Sequence, residues 1–253
     1  ELHYQPQFNV QGTRMDGAEC LLRWQHPEHG MISPGEFIPL LEETGLIVDV
    51  GVRVIEQACR CIHDWRGRGL PDHFVLAVNV SARQLQDEHL LTETRRLMEA
   101  WNVPEGMLEL ELTESSLMEE PAYSRRLFAG LRSIGAKIAI DDFGVRYSSL
   151  NYLREFAPDI LKIDKSFVDP IADNERDRHL LEGIIQLSHT LGIGVIAEGV
   201  ETEAQRAILE NASCDWIQGF LLARPVALSG VEDLMERLGA IRAEADTVRT
   251  WPQ

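Results

Sequence analysis

The sequence predicts an α/β chain folded as a TIM-like (β/α)8 barrel with an antiparallel first strand. Strand-like and helix-like segments alternate along nearly the whole chain, the pattern of β/α units with parallel strands. The first two strand segments are instead joined by a short turn, which reads as an antiparallel hairpin. Acidic and amide residues also recur near the C-terminal ends of the strands, where a barrel gathers its active site. A doubly wound sheet is the alternative that periodicity alone leaves open.

The elements follow in order. Leu2–Phe8 and Ala18–Trp24 have strand character and flank a turn at Gln11-Gly12. Ser33-Pro34-Gly35-Glu36 reads as a capping box with proline at the first helical position, opening a helix that Gly45 ends. Val48–Trp65 continues with apolar residues at helical spacing. Strand character returns at Phe74–Val80, Met107–Thr113, Lys137–Asp142, Ile160–Asp164, Val195–Glu198 and Asp215–Gly219. Glu175–Leu191, stopped by Gly192, and Glu203–Leu209 are the clearest helices between the later strands.

At 253 residues the chain suits one sizeable core, read as a single domain over 1–253 with a C-terminal tail from about 240. Its start at Glu1, just before a strand, reads as a domain cut from a longer protein whose remainder has room for a sensor or a membrane anchor. No apolar run is long enough to span a bilayer and no signal-peptide pattern opens the chain, so a cytoplasmic domain is expected. Lys and Arg total 24 against 41 Asp and Glu, a net charge of −17. Such a chain repels the nucleic-acid backbone and has no basic stripe to offset that, which excludes DNA and RNA polymers as partners. A small anion stays open, because a bound divalent cation dominates the field of its own site. Cys20, Cys59, Cys61 and Cys214 form no CxxC pair and no zinc spacing, and read as reduced thiols packed as small hydrophobes.

The polar strand residues carry the chemistry. Asn79 follows Val75-Leu76-Ala77-Val78, and Glu111 lies within Leu108-Glu109-Leu110-Glu111-Leu112. Asp141 and Asp142 follow Ile138-Ala139-Ile140, and Lys162 and Asp164 end Ile160-Leu161-Lys162-Ile163-Asp164. Glu198 follows Val195-Ile196-Ala197, and Gln218 follows Trp216-Ile217. A helix cap or a rim charge accounts for one such residue. It does not account for recurrence on five or six strands, because converging carboxylates repel unless a cation joins them. The group is rich in oxygen and holds no histidine or thiolate, which suits Mg²⁺ or Mn²⁺ better than zinc. Several carboxylates, one of them shareable, fit two ions about 3.5–4 Å apart, an arrangement that serves in-line displacement at phosphorus. Lys162 in their midst reads equally as a water-orienting group and as a salt bridge to Asp142 or Asp164.

These residues lie in a recognisable series. Glu19-Cys20-Leu21, followed by Leu22-Arg23-Trp24, resembles the signature of the EAL family with cysteine in place of alanine. The resemblance runs from Tyr4-Gln5-Pro6 to Arg224-Pro225, through Asn79-Val80-Ser81, Glu111-Leu112-Thr113-Glu114 and Asp141-Asp142-Phe143-Gly144. It continues through Lys162-Ile163-Asp164, Ala197-Glu198-Gly199-Val200-Glu201 and Gln218-Gly219-Phe220. One such tetrapeptide is a weak signal; the set in this order is highly specific. The resemblance implies a metal-dependent phosphodiesterase that opens cyclic di-GMP to linear pGpG, with two Mg²⁺ or Mn²⁺ ions. It assigns Glu19, Asn79, Glu111 and Asp141 to one metal and Asp141, Asp142 and Glu198 to the second. Lys162 would contact the catalytic water with Asp164 supporting it, and Gln218 would line the mouth. Glu114 and Glu201 resemble residues that steady the loop after Asp142, and Gln5 and Arg23 resemble substrate contacts. A homodimer and an upstream sensory or GGDEF-type domain are the implied partners.

Two departures stand out. Strand alternation puts Glu19, Leu21 and Arg23 on the lumen face and Cys20 outward, so the cysteine should leave the metals untouched. At Val145-Arg146 the family usually has Thr-Gly, which predicts weaker or more regulated catalysis. The competing readings are a receptor that binds cyclic di-GMP without cutting it and an enolase-type barrel. The first is disfavoured because every ligand position matches, the second because no segment supplies a capping domain.

Overall fold

The computed structural model describes residues 1–117, 120–144 and 150–243. Its strands are β1 (Leu2–Asn9), β2 (Met15–Leu22), β3 (Trp24–His26), β4 (Gly30–Ile32), β5 (Val75–Val80), β6 (Leu108–Thr113), β7 (Lys137–Phe143), β8 (Ile160–Ile163), β9 (Gly194–Ala197), β10 (Trp216–Ile217) and β11 (Val226–Ala227). The main sheet runs β10-β9-β8-β7-β6-β5-β2-β1, and β10 pairs again with β1 to close it. Closure removes the doubly wound alternative, whose sheet has open edges. From β2 through β5 to β10 the neighbours are parallel, while β1 is antiparallel to both β2 and β10. The seven parallel strands therefore point their C-terminal ends at one mouth, which β1 meets with its N-terminal half.

Apolar periodicity accounts for the surrounding helices. Leu46–Gly67 buries Val54, Ile55, Ala58, Cys59, Ile62 and Trp65, one stripe of a long helix laid on the barrel wall. All four cysteines are buried free thiols, in keeping with their reading as reduced thiols packed as small hydrophobes. Between Arg23 and Thr44 the chain leaves the barrel, forming the β3–β4 ribbon and the helix Pro34–Thr44. The strand predicted to reach Trp24 thus stops at Leu22, and Trp24 belongs to the ribbon.

The cap expected at Ser33 is also different. Ser33 occupies the N-cap position, but its side chain makes no capping bond; its carbonyl accepts from the amides of Glu36 and Phe37. Among the described residues, two true capping boxes occur elsewhere, Ser81 with Gln84 and Thr202 with Gln205. Both fit the Ser/Thr-x-x-Gln pattern and both stand at the start of a helix that follows a strand of the mouth. The Val145-Arg146 pair lies outside the described residues, as does most of the tail from about 240. Among the described residues, no helix is long and apolar enough to cross a membrane.

Gly17 marks a tight point in the barrel wall. A Cβ there would lie 2.7 Å from the Val75 carbonyl oxygen and 2.8 Å from the Gln7 side-chain oxygen. Because the first of these is backbone, relief requires β2 and β5 to separate. Gly17→Ala is expected to destabilise the fold by about 1–3 kcal/mol, read from thermal or urea unfolding. A midpoint equal to the parent's would show that the strands yield freely.

Candidate active site at the barrel mouth

Strand register brings the polar residues together. Asn79 stands opposite Glu111, Gln5 opposite Glu19, and Thr113 opposite Asp141. At their centre is Lys162, which is 1% exposed. Its Nζ lies 2.8 Å from Glu111 Oε2, 2.8 Å from Glu198 Oε1, 3.4 Å from Asp141 Oδ1 and 3.5 Å from Glu19 Oε2. Asn79 Nδ2 donates to Glu19 Oε1 at 2.6 Å and Gln218 Nε2 to Glu19 Oε2 at 2.7 Å. Gln7 Nε2 donates in turn to Gln218 Oε1 at 3.0 Å, which fixes the amide's orientation.

The charges shift one another strongly. Burial opposes the Lys162 charge, but Asp141, Glu111, Glu19 and Glu198 outweigh it and hold the ammonium well above the usual lysine range. Glu19 is also penalised by burial, yet Lys162, Gln218 and Asn79 pull it below the usual carboxylate range. Glu111 is pushed well up by burial and by Glu19. Enclosure, Asp141 and Glu19 lift Glu198 to about 8 against the pull of Lys162. Among the described residues, neither Glu111 oxygen has a partner in hydrogen-bonding geometry, although one is within ion-pair distance of Lys162. Four carboxylates thus face one ammonium, a surplus of negative charge in a hard-oxygen setting that fits a divalent cation. Among the described residues, no group of three His, Cys, Asp or Glu side chains is already spaced to hold a metal; the ammonium stands among the carboxylates instead.

β7 ends in an irregularity. Its pairing with β8 shifts register between Ile140 and Phe143, and Asp142 has a left-handed φ of 55°. A bulge re-aims side chains that strict alternation would separate, and aspartate tolerates this conformation better than most residues. The Asp142 amide donates to Asp141 Oδ1 at 2.9 Å, and the Asp142 side chain is exposed at the rim. Partial desolvation by the surrounding rim, followed by the charge of Asp141, raises its pKa above the ordinary aspartate value.

Gln5, Glu19, Asp141, Lys162, Glu198, Glu201 and Gln218 line one open cavity of about 310 Å³ at the mouth. A larger groove of about 600 Å³ lies outside the barrel beside Asp49 and Glu93, away from these converging groups. Not every expected residue is at the cavity wall. Arg23 lies beyond it, its guanidinium donating to the Leu22 carbonyl at 2.8 Å. Asp164 caps the helix Lys165–Val168, accepting from the Ser166 amide at 3.0 Å. Glu114 is buried at the start of the helix Glu114–Leu117. Lys165, Gly199 and Phe220 line the cavity although no sequence signal assigns them a role there. The same holds for Gln7 and Glu109 in the layer beneath, each two residues from a predicted site residue and so on its face of the strand.

Comparison with known proteins agrees with this geometry. A family model described as EAL domain matches residues 1–225. The signaling protein YkoW of Bacillus subtilis is 42% identical over 225 residues, covering 89% of this chain and 28% of that protein. The bifunctional diguanylate cyclase/cyclic di-GMP phosphodiesterase MucR of Pseudomonas aeruginosa is also 42% identical over 225 residues, 89% of this chain and 33% of its own length. The chain thus spans about a third of the curated relatives it matches. The solved structure of the PaMucR phosphodiesterase in complex with c-di-GMP superposes with a TM-score of 0.86 at 41% identity, covering 91% of this chain and 93% of that one.

The raised carboxyls set a pH dependence. Glu198 at about 8 and the wholly buried Glu109 at about 7 both start from an ordinary value of 4.5. Their folded forms hold protons more tightly than their unfolded forms, so their stabilising contribution is complete below about pH 4.5 and is lost as pH rises towards 8. Chelator-treated protein should therefore melt at progressively lower temperature between pH 5 and pH 8, and Mg²⁺ or Mn²⁺ should flatten the slope at the upper end. A melting temperature that rises through this window would show that the carboxylates are already compensated.

Proposed function

The chain belongs to the EAL domain family, and on that premise we propose that it hydrolyses cyclic di-GMP to linear pGpG. The observation that carries this reading is the cluster of Glu19, Glu111, Asp141 and Glu198 around Lys162 at the mouth of a closed barrel. A surplus of buried carboxylate is costly to a fold and persists where chemistry uses it.

In this reading one P–O bond of the cyclic dinucleotide breaks as a water oxygen bonds to phosphorus, leaving a terminal phosphate and a free 3′-hydroxyl. Lys162, kept charged by its neighbours, steadies the negative charge that grows on the phosphoryl oxygens and orients the water. Asn79 and Gln218 hold Glu19 from both sides, so its carboxylate does not turn during the reaction. Glu19, Asn79, Glu111 and Asp141 would hold one Mg²⁺ or Mn²⁺, with Asp141, Asp142 and Glu198 for a second. Such ions supply Lewis-acid stabilisation and a more acidic water. Gln5 and Gln218 contact substrate at the cavity wall, and Arg23 reaches it only by leaving the Leu22 carbonyl. Asp164, Glu114 and Glu201 brace the mouth. The EAL unit is proposed to work as a homodimer beneath an upstream sensory or GGDEF-type domain, in line with the greater length of its relatives.

Two measurements test the reading. EDTA should abolish release of pGpG and Mg²⁺ or Mn²⁺ should restore it; cleavage that survives chelation removes the metal-assisted route. Glu19→Ala and Lys162→Ala should each lower kcat by about a thousand-fold or more, with a far smaller effect on KM. Binding of cyclic di-GMP without any turnover by the parent chain would favour the receptor reading.

A further inference from the structure

The substrate proposed above carries two phosphodiesters, and the reacting centre accounts for one. Lys162 sits among four carboxylates at the reacting centre and is committed to that phosphate and its water, so a second phosphate needs another cation. Among the described residues that line the cavity, the only further cation is Lys165. The remaining charged groups there, Glu19, Asp141, Glu198 and Glu201, repel a second phosphate.

Lys165 is built into the wall. Its stem lies against Gly199, where an added Cβ would come within 2.4 Å of Lys165 Cγ and 2.6 Å of its Cβ. Gly199 also has a φ of +68°, so this close approach and this backbone conformation both call for glycine. The ammonium is held by Asp169 Oδ1 at 2.6 Å and Glu201 Oε1 at 2.9 Å. An ammonium has three hydrogens, so these two bonds leave one for a ligand. The side chain is 44% exposed, and ion pairs in that setting are weak enough to loosen when a phosphate arrives.

We propose that Lys165 binds the phosphate of cyclic di-GMP that is not cleaved, and so makes the site favour a cyclic dinucleotide over a simple phosphodiester. This rests on the substrate reading above. Asp169 and Glu201 then act as the counter-charges that keep the ammonium at the rim while the cavity is open. Lys165 touches substrate but not the reacting atoms, so its loss should appear in KM rather than kcat.

The test compares cyclic di-GMP with bis(p-nitrophenyl) phosphate, which carries a single phosphodiester. Lys165→Met should raise KM for cyclic di-GMP about ten-fold, and should lower kcat/KM for the one-phosphate ester much less. Lys165→Arg should recover most of the loss, because it restores a cation at the same reach. Equal losses on both substrates, or a fall in kcat alone, would overturn the proposal in favour of simple bracing of the Glu198–Glu201 segment. If the parent chain turns over no cyclic di-GMP, hydrolysis is the reading that fails. Calorimetric titration with cyclic di-GMP then decides Lys165: weaker binding by Lys165→Met supports it, and binding equal to the parent's, or none by either protein, overturns it.

Discussion

One buried ammonium holds the catalytic face of this barrel together. Lys162 reaches inward from β8 and meets carboxylates from β2, β6, β7 and the end of β9. Without it, Glu19 and Glu111 would face each other across a lumen that water hardly enters. Such a pair stays together only if one carboxyl keeps its proton or a cation intervenes. The lysine therefore stabilises the mouth in the absence of metal. It also limits how the carboxylates can rearrange, since each is tied to the same nitrogen. A group that orients a reaction and compensates a fold at once is hard to replace, because removing it leaves buried charge behind.

Much of the architecture was legible from periodicity. Alternating strands and helices gave the barrel, and the Gln11-Gly12 turn gave the reversed first strand. The strand-end acids marked the mouth because a carboxylate that closes an apolar strand is costly to bury unless a site uses it. What escaped the sequence was local. The ribbon β3–β4 and the edge strand β11 are too short to show a period of two. Ser33 has the pattern of a capping residue but satisfies the first amides through its carbonyl, a choice made by backbone geometry that composition does not record. The bulge at Asp141-Asp142 breaks alternation at the very residues whose faces alternation would otherwise decide.

The site shows the same division. Residues two apart on a strand share a face, so Gln7 beneath Gln5 and Glu109 beneath Glu111 were within reach of the alternation rule. They form a polar layer under the mouth that the motif alone does not mark. Glu109 is wholly buried and one of its oxygens has no hydrogen-bond partner among the described residues, so the lower lumen is under electrostatic load as well. Arg23 and Asp164 show the converse: a motif position identifies a residue without fixing its rotamer or its first partner.

The reversed first strand has a mechanical consequence. In a barrel of uniformly parallel strands, the chain enters at the face opposite the chemistry, and a disturbance there must cross the whole wall. Here β1 enters at the catalytic rim. The Glu1 backbone nitrogen donates to the Arg23 carbonyl at 2.9 Å, and the Arg23 amide donates back to the Glu1 carbonyl at 2.8 Å. A pull or twist applied at Leu2 therefore acts on a short lever whose other arm carries Gln5 and the Arg23 backbone, one at the cavity wall and one at the foot of the ribbon.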